Sequence, residues 1–284
     1  MRHFDAHTHV QFKAFASDYR EVIERSLTSG VGMVNVGTQQ DTSRRAVEIA
    51  HEFGNEPVYA AVGLHPIHTS KSYHDAQELG DEPEAKGFTS RSEVFDYEHY
   101  KKLAADPKVV AIGECGLDYY RLTRSQNQEI IKSEQKEAFL KQIELAHDVK
   151  KPLMIHCRSA FGDLIEILQT TTYKLQPGVV HFFSGTKEDA EELLEFGFYF
   201  TFGGVITFVR DYDEVIKMIP PDRILSETDA PYVTPTPYRG KRNEPLYVIE
   251  VVKKLAEIKN IPEEEMRLQI LVNANQLKLF GGFD

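Results

Sequence analysis

Residues 3–10 read HFDAHTHV, a short strand-like run with two imidazoles, His7 and His9, near its end. On a strand, residues two apart project from the same face, so these rings can close on one ion. With 11 histidines among 284 residues, chance supplies roughly 0.4 His-x-His pairs per chain, so the pair must be judged by what accompanies it.

Working outward, runs of the same kind recur. GMVNVGT (32–38), VYAAVGLHP (58–66), VVAIGECGLD (109–118), PLMIHCRS (152–159), VVHFFSG (179–185), FYFTFGGVI (198–206) and RILSETDAPY (223–232) are β-branched or glycine-bounded and read as strands. Between them lie stretches of helical period, among them DYREVIERSLTSG (18–30), SEQKEAFLKQIELAHDVKK (133–151) and KEDAEELLEFG (187–197). Many end in Gly or are followed by Pro, as helix stops should be. Eight β-α units in a chain of 284 residues predict an α/β protein built as a (β/α)8 TIM barrel. One domain over 1–284 is expected, because no Pro/Gly/Ser-rich linker divides the chain. A doubly wound open sheet is the main alternative, but no Gly-x-Gly-x-x-Gly follows any strand.

The polar residues fall late in these strands. His7 and His9 close the first, His65 the third, Glu114 the fourth, His156 the fifth, His181 the sixth and Asp229 the eighth. In a barrel all those ends meet at the C-terminal mouth, where the chemistry of the fold is found. A lone strand histidine is more often a hydrogen-bonded core residue than a ligand; six metal-capable residues at strand ends reverse that expectation. Four imidazoles and two carboxylates suit two divalent cations bridged by a carboxylate. Glu114 is the expected bridge, with His7, His9 and Asp229 completing one site and His156 and His181 the other. Such a pair activates water for hydrolysis. The histidines suit Zn, Mn, Fe or Ni, and Mg works where phosphate oxygens share its shell.

Composition narrows the class. With 41% hydrophobic residues the chain can bury a large core, and its formal charge of -11, from 33 basic and 44 acidic residues, argues against a surface coated with base for non-specific nucleic-acid binding. A nucleic acid held at one local site stays open. No basic and apolar leader opens the chain, and nowhere do 18 apolar residues run together, so a soluble cytoplasmic protein with no membrane partner is expected, a monomer being favoured. Cys115 and Cys157 each follow a candidate ligand and read as small buried residues.

The motifs DAHTH (5–9), GLHP (63–66), GECGLDYY (113–120), PLMIHCR (152–158), VHFFSG (180–185), SETDAPY (226–232) and PTPYRGKRNEP (235–245) appear in order over nearly the whole chain. Together they resemble the TatD-type metal-dependent deoxyribonucleases, a family of amidohydrolase-like barrels. By that resemblance His7, His9, Glu114, His156, His181 and Asp229 match the family's metal ligands. It implies magnesium- or manganese-dependent nuclease action on DNA, often exonucleolytic from a 3′ end.

Neighbouring residues take expected roles from their chemistry. Asp5, on the face of His7, would orient an imidazole from behind. Glu227, two residues before Asp229, would share its face and accept a water's proton or hold a further cation. His65 would contact a scissile phosphate or protonate a leaving oxygen. Arg158 would fork onto phosphate, as would Arg239, Lys241 and Arg242, the densest basic run. Tyr119, Tyr120 and Phe183 would stack on bases.

One stretch departs from the family pattern. TSKSYHDAQELGDEPEAKGFTSRSEVFD (69–96) is longer and more acidic than the usual short connection, and as a βα loop it would hang over the mouth and restrict a polyanion. Rival functions are an amidohydrolase or D-aminoacyl-tRNA deacylase on the same metal site, and a scaffold in which metal only stabilises the barrel. Many amidohydrolases bridge their metals with a carboxylated lysine on the fourth strand; Glu114 in its place favours the nuclease.

Overall fold

The computed structural model describes residues 1–71, 73–74, 88–90, 92–120, 122 and 127–280. Eight strands form one sheet in chain order: β1 (His3–Thr8), β2 (Val31–Val36), β3 (Val58–Val62), β4 (Val109–Asp118), β5 (Leu153–Arg158), β6 (Val179–Val180), β7 (Tyr199–Phe202) and β8 (Ile224–Ser226). Every neighbouring pair is parallel. Strands covered on both faces need no polar alternation, and all ten residues of β4 are buried.

The sheet curls into a barrel whose seam lies between β8 and β1. There the regular ladder gives way to single bonds: the Asp229 N–H donates to the His7 carbonyl at 2.9 Å, and the His9 N–H to the Ala230 carbonyl at 2.9 Å. Ser226 Oγ adds a bond to the Phe4 carbonyl at 2.9 Å. Two candidate ligand strands are therefore tied to each other through their backbones.

Helices α1 (Tyr19–Thr28), α2 (Gln40–Glu52), α3 (Tyr97–Ala104), α4 (Gln128–Val149), α5 (Phe161–Thr170), α6 (Lys187–Glu195), α7 (Asp213–Met218), α8 (Val248–Lys259) and α9 (Glu263–Gln276) surround the strands. Their starts and faces follow from local chemistry. Thr186 and Asp189 form a reciprocal capping box at the start of α6, with Thr186 Oγ1 accepting from the Asp189 N–H at 3.1 Å. In α8, Val248, Val251, Val252, Leu255 and Ala256 recur at helical spacing and are buried. Cys115 and Cys157 are buried and unpaired.

Several expected boundaries change, the seventh strand shortening from 198–206 to Tyr199–Phe202 and the eighth from 223–232 to Ile224–Ser226. α4 begins at Gln128 rather than Ser133, and the sixth strand shrinks from 179–185 to Val179–Val180. The latter ends because Phe182 takes a positive φ of 44°, which no extended strand tolerates. Of the 69–96 stretch, residues 72, 75–87 and 91 lie outside those described, and so does most of the expectation placed on it. Tyr73–His74 pairs antiparallel with Phe88–Thr89, and the Glu93 N–H donates to the His68 carbonyl at 2.7 Å.

Candidate metal centre

The C-terminal mouth opens into a cavity of about 290 Å³ whose walls include His9, His65, Glu114, His156, His181 and Asp229. His7 lies just beneath, fully buried. The six candidate ligands, from five separate strand ends, are thus in one cluster, with His65 beside them.

Glu114 sits at its centre, with each carboxylate oxygen facing a different group. Oε1 is 2.8 Å from His181 Nε2, 3.1 Å from His156 Nδ1 and 3.1 Å from His65 Nε2. Oε2 is 3.5 Å from His7 Nε2 and 3.6 Å from His9 Nε2. Asp229 Oδ1 joins the second group, 3.2 Å from His9 Nε2 and 3.8 Å from His7 Nε2. Burial alone would raise the Glu114 pKa, but the facing His65 and His181 rings hold its carboxyl well below the usual range. Asp229 is partly buried, which would raise its pKa, yet His9 and His7 hold it below the usual value.

The rings are turned by their outer nitrogens. His9 Nδ1 faces the Val36 carbonyl at 2.7 Å; a carbonyl only accepts, so this nitrogen carries the hydrogen and Nε2 offers its lone pair inward. His156 Nε2 meets Asp118 Oδ2 at 2.9 Å, which turns Nδ1 toward Glu114. His7 Nε2 and His9 Nε2 lie 3.1 Å apart, and His156 Nδ1 and His181 Nε2 3.3 Å apart. Converging imidazole lone pairs beside ionised carboxylates form a donor set that fits divalent cations. Among the described residues, three overlapping groups bring such atoms close enough together to hold an ion: His7, His9 and Asp229; His7, Glu114 and His181; and His65, Glu114 and His156.

The profile of the family described as TatD related DNase matches residues 4–280. The chain belongs to the TatD family. It is 39% identical over 277 residues to the uncharacterized metal-dependent hydrolase YabD of Bacillus subtilis, covering 96% of this chain and 98% of that one. It is 31% identical to the 3'-5' ssDNA/RNA exonuclease TatD of Cronobacter sakazakii, covering 98% of this chain and 97% of that one. Among solved structures, the TatD homologue YJJV of Escherichia coli superposes with a TM-score of 0.79 at 28% identity, with 97% of both chains covered. This TatD-family chain is a metal-dependent hydrolase, and among the described residues no helix is long and apolar enough to cross a membrane.

Other residues of this TatD-family site differ from expectation. Asp5 is fully buried, and burial pushes its pKa well up. Its oxygens accept from the backbone N–H of His7 at 3.3 Å and from Thr228 N–H and Oγ1 at 2.8 and 2.5 Å. It holds the β1 backbone to the chain after β8 rather than turning an imidazole.

Glu227 does not share a face with Asp229. β8 ends at Ser226 and Asp229 adopts a φ of 53°, so strand alternation stops short of it. Asp229 faces the cavity, whereas Glu227 is fully buried, accepts from Thr201 Oγ1 at 2.5 Å and lies 3.6 Å from His181 Nδ1. It stands behind a ligand and away from water.

His65 Nδ1 accepts the Ile67 N–H at 3.2 Å, so only Nε2 can carry hydrogen, toward Glu114. Burial lowers its pKa to about 4, against the pull of Glu114.

The basic residues divide. Arg158 lines the cavity, held by Asp118 Oδ2 at 2.9 Å and stacked over Tyr120 at 4.5 Å. Arg242 instead forks onto Asp18 at 2.9 and 2.6 Å, donates to the Ala14 carbonyl and lies 4.3 Å over the Phe15 ring. Arg239 donates to the Thr234 carbonyl and covers Phe208, and Lys241 reaches toward Tyr238. None of these three lines the cavity. Phe183 is core, packed edge-on to Phe161 and Phe200, and Tyr119 bonds Asp163 at 2.7 Å; of the three aromatics only Tyr120 is exposed.

Asp118 carried no expectation from sequence. Its signal was present: it lies four residues past Glu114 on one strand, an even spacing that puts both on one face. Gly116 between them has φ +128° and a Cβ there would strike the His156 carbonyl, so β4 and β5 approach closely where the two ligands meet.

Proposed function

We propose that this chain is a 3′-5′ exonuclease acting on single-stranded DNA ends with two divalent cations, magnesium or manganese for turnover, with zinc, iron and nickel as other occupants. One observation carries the reading: the two oxygens of Glu114 face two separate ligand groups. His7, His9, Asp229 and Glu114 Oε2 would hold one cation, and His156, His181 and Glu114 Oε1 the other. When bound, such a pair lowers the pKa of water toward neutrality and offsets charge on a phosphate.

The chain's own groups would do the rest. Asp229, the more exposed of the two cluster carboxylates at 17% against 4%, would accept the attacking water's proton. His65 would donate a hydrogen bond from Nε2 to a phosphate oxygen. Full proton transfer is unsuited to it, since with Nδ1 accepting from Ile67 it would leave an anionic ring. Arg158, already oriented by Asp118, would pair with the phosphate. Water adds to phosphorus, the bond to the 3′ oxygen breaks, and that oxygen takes its proton from solvent. The 69–96 stretch is proposed as an insertion that restricts which ends reach the cavity.

Digestion of labelled single-stranded DNA, duplex DNA and RNA with magnesium, manganese or zinc tests this, with Glu114→Ala as control. Stepwise shortening of single-stranded DNA from the 3′ end is expected. Intact oligonucleotides beside a cleaved small ester, amide or D-aminoacyl-tRNA would assign the metal site to another bond.

A further inference from the structure

Two glutamines of α4, Gln135 and Gln142, turn inward and are only 2% and 1% exposed. A buried amide must find partners for both its donor and its acceptor, and each of these finds them on one backbone residue. The Leu64 N–H donates to Gln142 Oε1 at 2.8 Å, and Gln142 Nε2 donates to the Leu64 carbonyl at 3.0 Å. The Asp118 N–H donates to Gln135 Oε1 at 2.8 Å, and Gln135 Nε2 donates to the Asp118 carbonyl at 3.0 Å.

A primary amide used in this way imitates the peptide group of an adjacent strand. Seven residues apart is two helical turns, about 10.5 Å along one face, so a single helix completes the ends of both β3 and β4. The local sequence makes room for it: a Cβ at Gly63 would lie 2.8 Å from Gln142 Oε1 and 2.7 Å from Gly113. Both residues so held border the metal centre. His65 follows Leu64 and reaches Glu114 at 3.1 Å, while the Asp118 carboxylate holds His156 at 2.9 Å.

We propose that Gln135 and Gln142 are positioning residues: their amides fix the rim of β3 and β4, and through it His65 and Asp118 against the Glu114 and His156 pair. Gln142 sets a group that touches substrate, and Gln135 sets a group that orients a metal ligand. The assignment rests on the metal-centre reading above.

The test replaces each in turn by methionine, which keeps the volume and removes the amide's hydrogen bonds, including the one from Gln142 Nε2 to the Ala138 carbonyl of its own helix at 3.3 Å. Glutamate, which keeps the acceptor and loses the donor, serves if a methionine variant does not fold. Amide hydrogen exchange on the metal-free protein needs neither metal nor substrate. Gln142→Met is expected to speed exchange at Leu64 about tenfold and leave Asp118 unchanged, and Gln135→Met to do the reverse. In calorimetric titration, manganese affinity falls about 10–100-fold in Gln135→Met and stays near wild type in Gln142→Met. Gln142→Met instead lowers kcat on the oligonucleotide with KM retained. Ile270→Val, a buried change on α9, supplies a control for simple loss of stability. Unchanged exchange at Leu64 and Asp118 overturns the proposal, as does altered exchange with wild-type manganese affinity and kcat. A wild-type protein that cleaves no DNA defeats the nuclease reading, while exchange and manganese affinity still decide this one.

Discussion

His156 Nε2 lies 2.9 Å from Asp118 Oδ2, and that contact decides which nitrogen of the ring meets Glu114. Arg158 bonds the same oxygen at 3.0 Å from Nε, and these partners hold the Asp118 carboxyl far below its usual pKa despite burial. An asparagine there offers an N–H₂ group and can select the wrong tautomer. Asp118→Asn is expected to weaken manganese binding about 10–100-fold with an unchanged far-ultraviolet circular dichroism spectrum. Binding within threefold of wild type would remove Asp118 from the metal centre.

Glu227 and Asp229 are two residues apart, but Asp229 lines the cavity while Glu227 is fully buried behind His181. Asp229→Asn, at a cavity-facing proton acceptor, should reduce kcat on the order of 10²–10⁴-fold. Glu227→Gln keeps the size of a buried group bonded to Thr201, and is expected to cost less than about tenfold in kcat. Steady-state rates for the pair separate the roles; equal losses would return Glu227 to the chemistry.

The Arg242 fork onto Asp18 ties the chain after β8 to the start of α1. Arg242 holds the Asp18 carboxyl below its usual pKa. Above the unfolded value of about 3.9 the carboxylate is ionised in both states and the pair contributes fully. As pH falls through the lower folded value, native Asp18 takes up its proton and the contribution disappears. Asp18→Asn should therefore be less stable than wild type by under about 1 kcal/mol near pH 7, with the gap closing below pH 4 in urea titrations. A gap that widens with acid contradicts the sign.

Removing metal should lower stability without unfolding the barrel, since the core is built from apolar strands and helices rather than from the ligands. At manganese 100-fold above Kd, linkage adds about 2.7 kcal/mol per site. Calorimetry with and without chelator should show a Tm difference that grows with the logarithm of manganese concentration. A Tm independent of manganese would mean that the cluster binds it too weakly to matter.

The barrel was legible in the chain because its evidence is local. Strand and helix periods, glycine stops and the capping pair at Thr186 and Asp189 each depend on a few adjacent residues. The six metal-capable residues were legible for a related reason: once the strands are ordered, their ends must converge. Alternation then failed just past the strands. It predicted Glu227 beside Asp229, but the chain leaves extended geometry after Ser226 and the side chains part.

By itself the sequence determined the α/β barrel, which residue types stand at its mouth, and the family to which their motifs belong. Tertiary structure alone decided their company. Arg242, which the sequence offers as a phosphate ligand, meets Asp18 across 224 residues, and Gln142 meets Leu64 across 78. Asp118 meets His156 across 38. No local period encodes such pairs. Each arises because closing the barrel brings a charged or amide group beside a partner distant in sequence; at the buried Gln142 and Asp118, leaving either partner unmatched costs about 1–3 kcal/mol.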